Sequence, residues 1–213
     1  MKIIIQLVVL FLLAINCCVN AQNYLFNQGE SGIFVVGGIV KASNNYTTIN
    51  TNAFAGGVSI WGRGSVQVAS ATSKILDSKQ IGVSFIPFKE GLGRGFPSPF
   101  SLEISCAYVS QNNRYYAGIN SYAFEKKGSV IGVSMYKNVK IVEDGFMLIP
   151  SASYFRTLGK NIYEIKATLL LKYVFIETFS DYRKASEGLT IGMIGGVKIP
   201  VSQSTKTLPN KEP

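Results

Sequence analysis

The chain has 213 residues, 47% of them hydrophobic and only 15% charged, with 21 lysines and arginines against 12 acids. That length suits one all-β domain or a small barrel. There is no histidine, which closes triad hydrolysis and histidine-ligated zinc, and the basic excess is scattered over turns and tail, which reads as solvated surface charge rather than a nucleic-acid site.

The chain opens "MKIIIQLVVLFLLAINCCVNAQ". Lys2 is a short positive start, residues 3–15 are apolar but for Gln6, and Val19 and Ala21 sit at the small-residue positions of a cleavage site. The pattern predicts a signal peptide over 1–21, cut after Ala21, because the apolar run is too short for a comfortable span. A lipoprotein would acylate Cys17 or Cys18, but Asn16 stands where that signal wants a small residue. Cys106 is then the one cysteine of 22–213, without an internal disulfide partner, and reads as a small inert hydrophobe.

Ten alternating segments follow, near 31–42, 52–62, 64–72, 79–88, 100–110, 114–125, 129–139, 145–156, 161–178 and 188–201. Clusters of Gly, Asn, Ser and Asp separate them, as turn chemistry requires. No strong helical period is present after the leader. Among the connections, "EGLGRGFP" (90–97) lacks the Lys-Ser/Thr ending of a phosphate loop and a following helix, so it reads as a glycine-rich loop. "NYT" (45–47) matches a glycosylation sequon by accident, and Trp61 beside Gly62 reads either as an interface anchor or as a packed aromatic.

The alternation has a chemical pattern. In "NIYEIKATLLLKYVFIETF" one face is Tyr163, Ile165, Ala167, Leu169, Leu171, Tyr173 and Phe175; the other starts with Glu164, Lys166 and Thr168 and includes Lys172. "SLEISCAYV" sets Leu102, Ile104 and Tyr108 against Glu103, Ser105 and Ala107, and "LTIGMIGGVKI" sets Leu189, Ile191 and Met193 against Thr190, Gly192, Gly196 and Lys198. A soluble sandwich fills its second face with Lys and Glu. Here that face is small and weakly polar, which fits the interior of a narrow barrel. Ten strand steps from Tyr163 to Tyr173, tilted near 40°, span roughly 25 Å, about the height of a transmembrane barrel's apolar band.

On these residues the chain resembles the small bacterial outer-membrane β-barrels. The resemblance covers nearly all of 22–201 and is architectural, carried by the leader, alternating segments such as Tyr163–Phe175, aromatic ends and alternating loop lengths. It implies an antiparallel up-and-down transmembrane barrel of about ten strands, eight being compatible with the uncertain stretch 73–114. It also implies both termini in the periplasm, long outward loops at 43–51 and 180–188, and membrane lipid and the outer-membrane assembly machinery as partners. The chain departs from many such barrels in ending on "SQSTKTLPNKEP", a polar tail over 202–213, where they end on an aromatic.

No cofactor, metal or catalytic residue is expected. Glu103, Glu164, Lys166, Lys172 and Lys198 are the expected lumen-facing polar residues, with the acids paired to the bases. Tyr163, Ile165, Leu169, Leu171, Tyr173 and Phe175 are the expected lipid-facing set. The function these features imply is non-enzymatic: a structural, adhesive or narrow-pore role in the outer membrane. The alternative is a soluble exported β-sandwich or barrel, periplasmic or secreted, that turns the same apolar face inward around an apolar ligand. A second alternative is an enzyme using Glu103 or Glu164 without histidine.

Overall fold

The computed structural model describes residues 25–27, 29–43, 48–73, 76–90, 99–117, 120–142, 145–157, 160–183 and 188–203. The leader and residues 204–213 lie outside them, while Ser202 and Gln203, read as the start of the polar tail, belong to the last strand. Among the described residues there are eleven strands: β1 (Glu30–Ser43), β2 (Thr48–Ile60), β3 (Gly64–Thr72), β4 (Leu76–Phe88), β5 (Ser101–Ala117), β6 (Asn120–Tyr136), β7 (Val139–Val142), β8 (Phe146–Thr157), β9 (Lys160–Leu171), β10 (Val174–Arg183) and β11 (Gly188–Gln203). Neighbours in sequence pair as antiparallel hairpins, β1 also pairs with β11, and β6 pairs with β8. The sheet therefore closes on itself as a ten-stranded barrel with no free edge. β7 is a four-residue strand that resumes the line of β6 against the start of β8.

The first and last strands meet with Glu30 opposite Gln203, so both described ends of the chain lie at one mouth of the barrel. Through closure each of the ten barrel strands pairs its backbone groups with two neighbours.

The strand number agrees with the alternation, but two boundaries move and compensate. The predicted segments 100–110, 114–125 and 129–139 are two strands, β5 and β6, joined at 118–119. "SQNNR" and "KKG" stay in the ladder, with Ser110 opposite Lys127 and Asn112 opposite Glu125. Conversely, the predicted strand 161–178 is two strands, β9 and β10, joined by the two-residue turn Lys172–Tyr173. Lys172 takes a left-handed φ of 50° there, a conformation that lysine seldom adopts. No glycine, asparagine or proline marks the turn.

The loop lengths also differ from expectation. The connections at the mouth away from the described ends are short: 44–47, 73–75, 118–119, 158–159 and 184–187. The longest connections, 89–100 and the segment around β7, lie at the same mouth as the two described ends. The expected outward loops at 43–51 and 180–188 are largely ladder, since Ser43 pairs with Thr48 and Arg183 with Gly188. Thr48, Ile49 and Thr51 in the first and Ser180–Arg183 in the second extend the strands instead of leaving them. The other tight turn, after β2, places Trp61 (φ 55°) and Gly62 (φ 59°) in the left-handed region, with the Arg63 amide donating to the Ile60 carbonyl at 3.1 Å.

Candidate functional site: a polar lumen inside an apolar wall

The barrel reverses the polarity of a water-soluble fold. Its buried side chains include Gln67, Glu103, Glu164, Lys166, Glu177 and Lys198, whereas Ile39, Phe54, Ile165, Ile191 and Met193 are exposed on its outer wall. The two sets alternate residue by residue along each strand, as the pleat demands. Ile165 is 73% exposed between Glu164 and Lys166, which are 6% and 7% exposed.

The lumen is filled in layers. At the mouth that holds the described ends, Leu25 and Phe26 fold inward ahead of β1 and are buried with Phe34, Val36, Ile86, Tyr136, Ile149, Leu170 and Phe175. This segment is tied down by side chains from the wall. Lys89 Nζ donates to the carbonyls of Phe26 (2.8 Å) and Gly62 (2.7 Å). Glu30 accepts the Asn27 amide at 2.7 Å and pairs with Lys198 at 3.2 Å, while Lys198 lies 5.4 Å from the centre of the Phe26 ring. Burial pushes the Lys89 pKa down to about 8, against the pull of Glu103 and Glu30.

Further along the axis the lining becomes ionic. Lys166 Nζ sits 3.7 Å from Glu177 and 3.9 Å from Glu164, and Thr168 donates to Glu177 at 2.9 Å. Asp181 is the cross-strand neighbour of Glu164. Glu164, Lys166, Glu177 and Asp181 line a cavity of about 310 Å³ together with Val36, Val40 and the alanines of β2 and β3. On another part of the wall, Ser84 donates to Glu103 and also lies 3.4 Å from Ser65. Buried charges are thus met by opposite charges or hydroxyls, the condition for keeping them in a low-dielectric interior.

Glycine and phenylalanine share the remaining space. Gly57, Gly132, Gly192 and Gly196 sit in the ladder beside Phe34, Phe155, Phe179 and Phe175, and a Cβ at each glycine would run into the neighbouring ring. The small second face read in the sequence is therefore floor for inward aromatics, as strand glycines often are.

Of the residues singled out in the sequence, Glu103, Glu164, Lys166 and Lys198 are buried inside the barrel, while Tyr163, Ile165, Leu169 and Leu171 lie on the outer side of β9, Leu169 half-buried. Two placements need correction. Lys172 is exposed in the β9–β10 turn, not in the lumen, while Tyr173 in the same turn is exposed as expected. Phe175 is fully buried inside. One cause explains both: a two-residue turn pairs Leu171 with Val174, so the outward residues are odd on β9 and even on β10. The same shift brings in Glu177, which the sequence reading leaves out of the lumen. Glu30 and Lys89 were missed because neither belongs to an alternating run. Trp61 is exposed at the turn after β2, next to the mouth that holds the described ends.

Among the described residues no group of three or more acids or cysteines is arranged to hold a metal ion. Glu103 and Glu164 stand on β5 and β9, each with its own partners, and do not form a catalytic pair. No described helix is long and apolar enough to cross a membrane; the outer wall is made of strands.

No protein-family model matches the chain, and no curated protein does. Among solved structures it is similar to the outer membrane protein Omp33 of Acinetobacter baumannii (12% identity, TM-score 0.41, covering 81% of this chain and 100% of that one). It is also similar to the N-terminal β-barrel domain of Pseudomonas aeruginosa OprF (7%, 0.36, 81% and 98%) and to Ail, the attachment invasion locus protein of Yersinia pestis (12%, 0.34, 81% and 99%). At these values the likeness is one of general form, and the functional reading rests on the chain's own residues.

Proposed function

We propose that the chain is an integral bacterial outer-membrane β-barrel with an occluded lumen, non-enzymatic, serving a structural or adhesive role rather than that of an open pore. The observation that carries this is the reversal of polarity: ion pairs and hydroxyls inside, and a continuous belt of Ile, Val, Leu, Met and Phe outside. Water-soluble folds do not leave an apolar surface of that extent uncovered. Membrane lipid is its natural cover, with the outer-membrane assembly machinery as the route in.

Dimensions and girdles support the same reading. Eight outward strand steps from Tyr163 to Leu171, at the usual tilt, make a band of roughly 20 Å. Above it Tyr154, Tyr163 and Tyr182 are cross-strand neighbours, all exposed, with the Tyr154 and Tyr163 rings 5.4 Å apart. Below it Trp61, Phe88, Phe100 and Tyr173 are exposed near the opposite mouth. Amphipathic aromatics belong at membrane–water boundaries.

The occlusion follows from the apolar layer of Leu25, Phe26, Phe34 and Phe175, which fills the mouth with the described ends. A soluble barrel around an apolar ligand would need that polarity turned the other way. The test is a detergent gel of isolated outer membranes, boiled and unboiled. A membrane-inserted barrel migrates differently before and after boiling. A periplasmic protein with one mobility contradicts the proposal.

A further inference from the structure

The outer wall carries one feature that a plain lipid-facing belt does not require. Over β1–β5 there is a depression of about 560 Å³. Gly56 forms its floor, between Val35 and Val68 on the neighbouring strands, and Phe54, Ile81 and Tyr108 stand around it. The rim is a single polar rung. Ser70 pairs with Lys79, Lys79 with Ser110, and Ser110 with Lys127, and the first three of these also line the depression. Lys79 is exposed there. Glu125 accepts from Ser110 at 3.0 Å and from Lys127 at 2.9 Å, which fixes the far end of the rung and shares the charge of Lys127.

An apolar trough ending at a row of lysines and hydroxyls has the polarity of an anionic lipid: acyl chain below, phosphate above. We propose that this depression is a binding site for a phosphate-headgroup lipid, with the chain laid over Gly56 and the phosphate held by Lys79 and Ser70. The proposal rests on the membrane reading above. It commits to a lipid rather than to a soluble anion, because the rung has little to hold a phosphate without the trough. Lysines beside a membrane surface attract anionic headgroups for this reason.

The test uses the full chain in phosphatidylcholine vesicles with Trp61→Phe and Tyr108→Trp, so that the only tryptophan stands at the depression. A minor fraction of brominated phosphatidic acid, or the same fraction of brominated phosphatidylcholine, is added as quencher. The proposal expects the phosphatidic acid to quench about fivefold more effectively, the effect of roughly one lysine–headgroup contact. That preference is lost in Lys79→Gln and kept in Lys41→Gln, an exposed lysine on β1 away from the depression. Equal quenching by the two lipids, a preference that survives Lys79→Gln, or competition by inorganic phosphate overturns the site. Absence of quenching by either lipid overturns the membrane reading itself, which keeps the two failures apart.

Discussion

Phe155 and Gly132 face each other across the β6–β8 ladder, and the ring of Phe155 occupies the space that a side chain at Gly132 would need. The pair stands where β6 meets β8 directly, past the short strand β7. Three more glycine–phenylalanine pairs repeat the arrangement around the wall. A narrow barrel needs large side chains to fill it and small ones to make room, and direct cross-strand pairing satisfies both at once. Phe155→Ala should therefore cost about 3 kcal/mol of stability, as other buried phenylalanine truncations do. Gly132→Val should cost at least as much, because the displaced ring has Ser105 beside it. Urea unfolding in micelles measures both, and the double variant should cost less than the sum.

The ionic layer makes a different demand. Lys166 stands between Glu164 and Glu177. Lys166→Met leaves two buried carboxylates without their cation and should destabilise the barrel by about 3 kcal/mol, the usual penalty for breaking a buried pair from one side. Adding Glu177→Gln should recover part of that loss. If the single variant unfolds at the same urea concentration as the parent, the lumen is wetter than its burial implies.

The N-terminal segment in the lumen predicts local behaviour. Lys89→Met removes the donor to the Phe26 and Gly62 carbonyls, a charged hydrogen-bonding group worth about 2 kcal/mol. Hydrogen exchange of the amides at 29–30 should accelerate roughly thirtyfold while those of β8 and β9 hold. In planar bilayers the parent protein should stay closed, and the double variant Phe26→Ala with Lys89→Met should show brief openings, since it loosens the apolar layer at that mouth.

The β9–β10 turn is strained at one residue. Lys172 holds a left-handed backbone that asparagine tolerates better, so Lys172→Asn should raise stability by about 1 kcal/mol or less. The chevron of the variant should show whether the gain lies in faster folding or slower unfolding.

Most of the architecture was legible in the chain, because period-2 alternation reports faces directly. Leu189–Lys198 and Leu102–Tyr108 fall on the sides that their pattern assigns. Turns were harder. Lys172–Tyr173 lacks turn residues, and because parity reverses there, one missed turn moved Phe175 and Glu177 to the other side. Asn112 and Asn113 look like a turn but pair with Glu125 and Phe124, since hydrogen bonds to β6 outweigh local preference. The lumen was legible only in part. Glu164 and Lys166 lie on an alternating strand, whereas Lys89 and Phe26 meet across 63 residues with no local pattern to announce them.

The central claim is that the outer wall faces lipid and the inner wall does not. Two single-tryptophan proteins test it, both with Trp61→Phe: one carries Ile165→Trp on the exposed face, the other Phe155→Trp in the lumen. Each is placed in vesicles of acyl-chain brominated lipid. The account predicts strong quenching at 165 and little at 155. Quenching at 155 with none at 165 would contradict it and would make the apolar face of β9 the inside of a soluble fold.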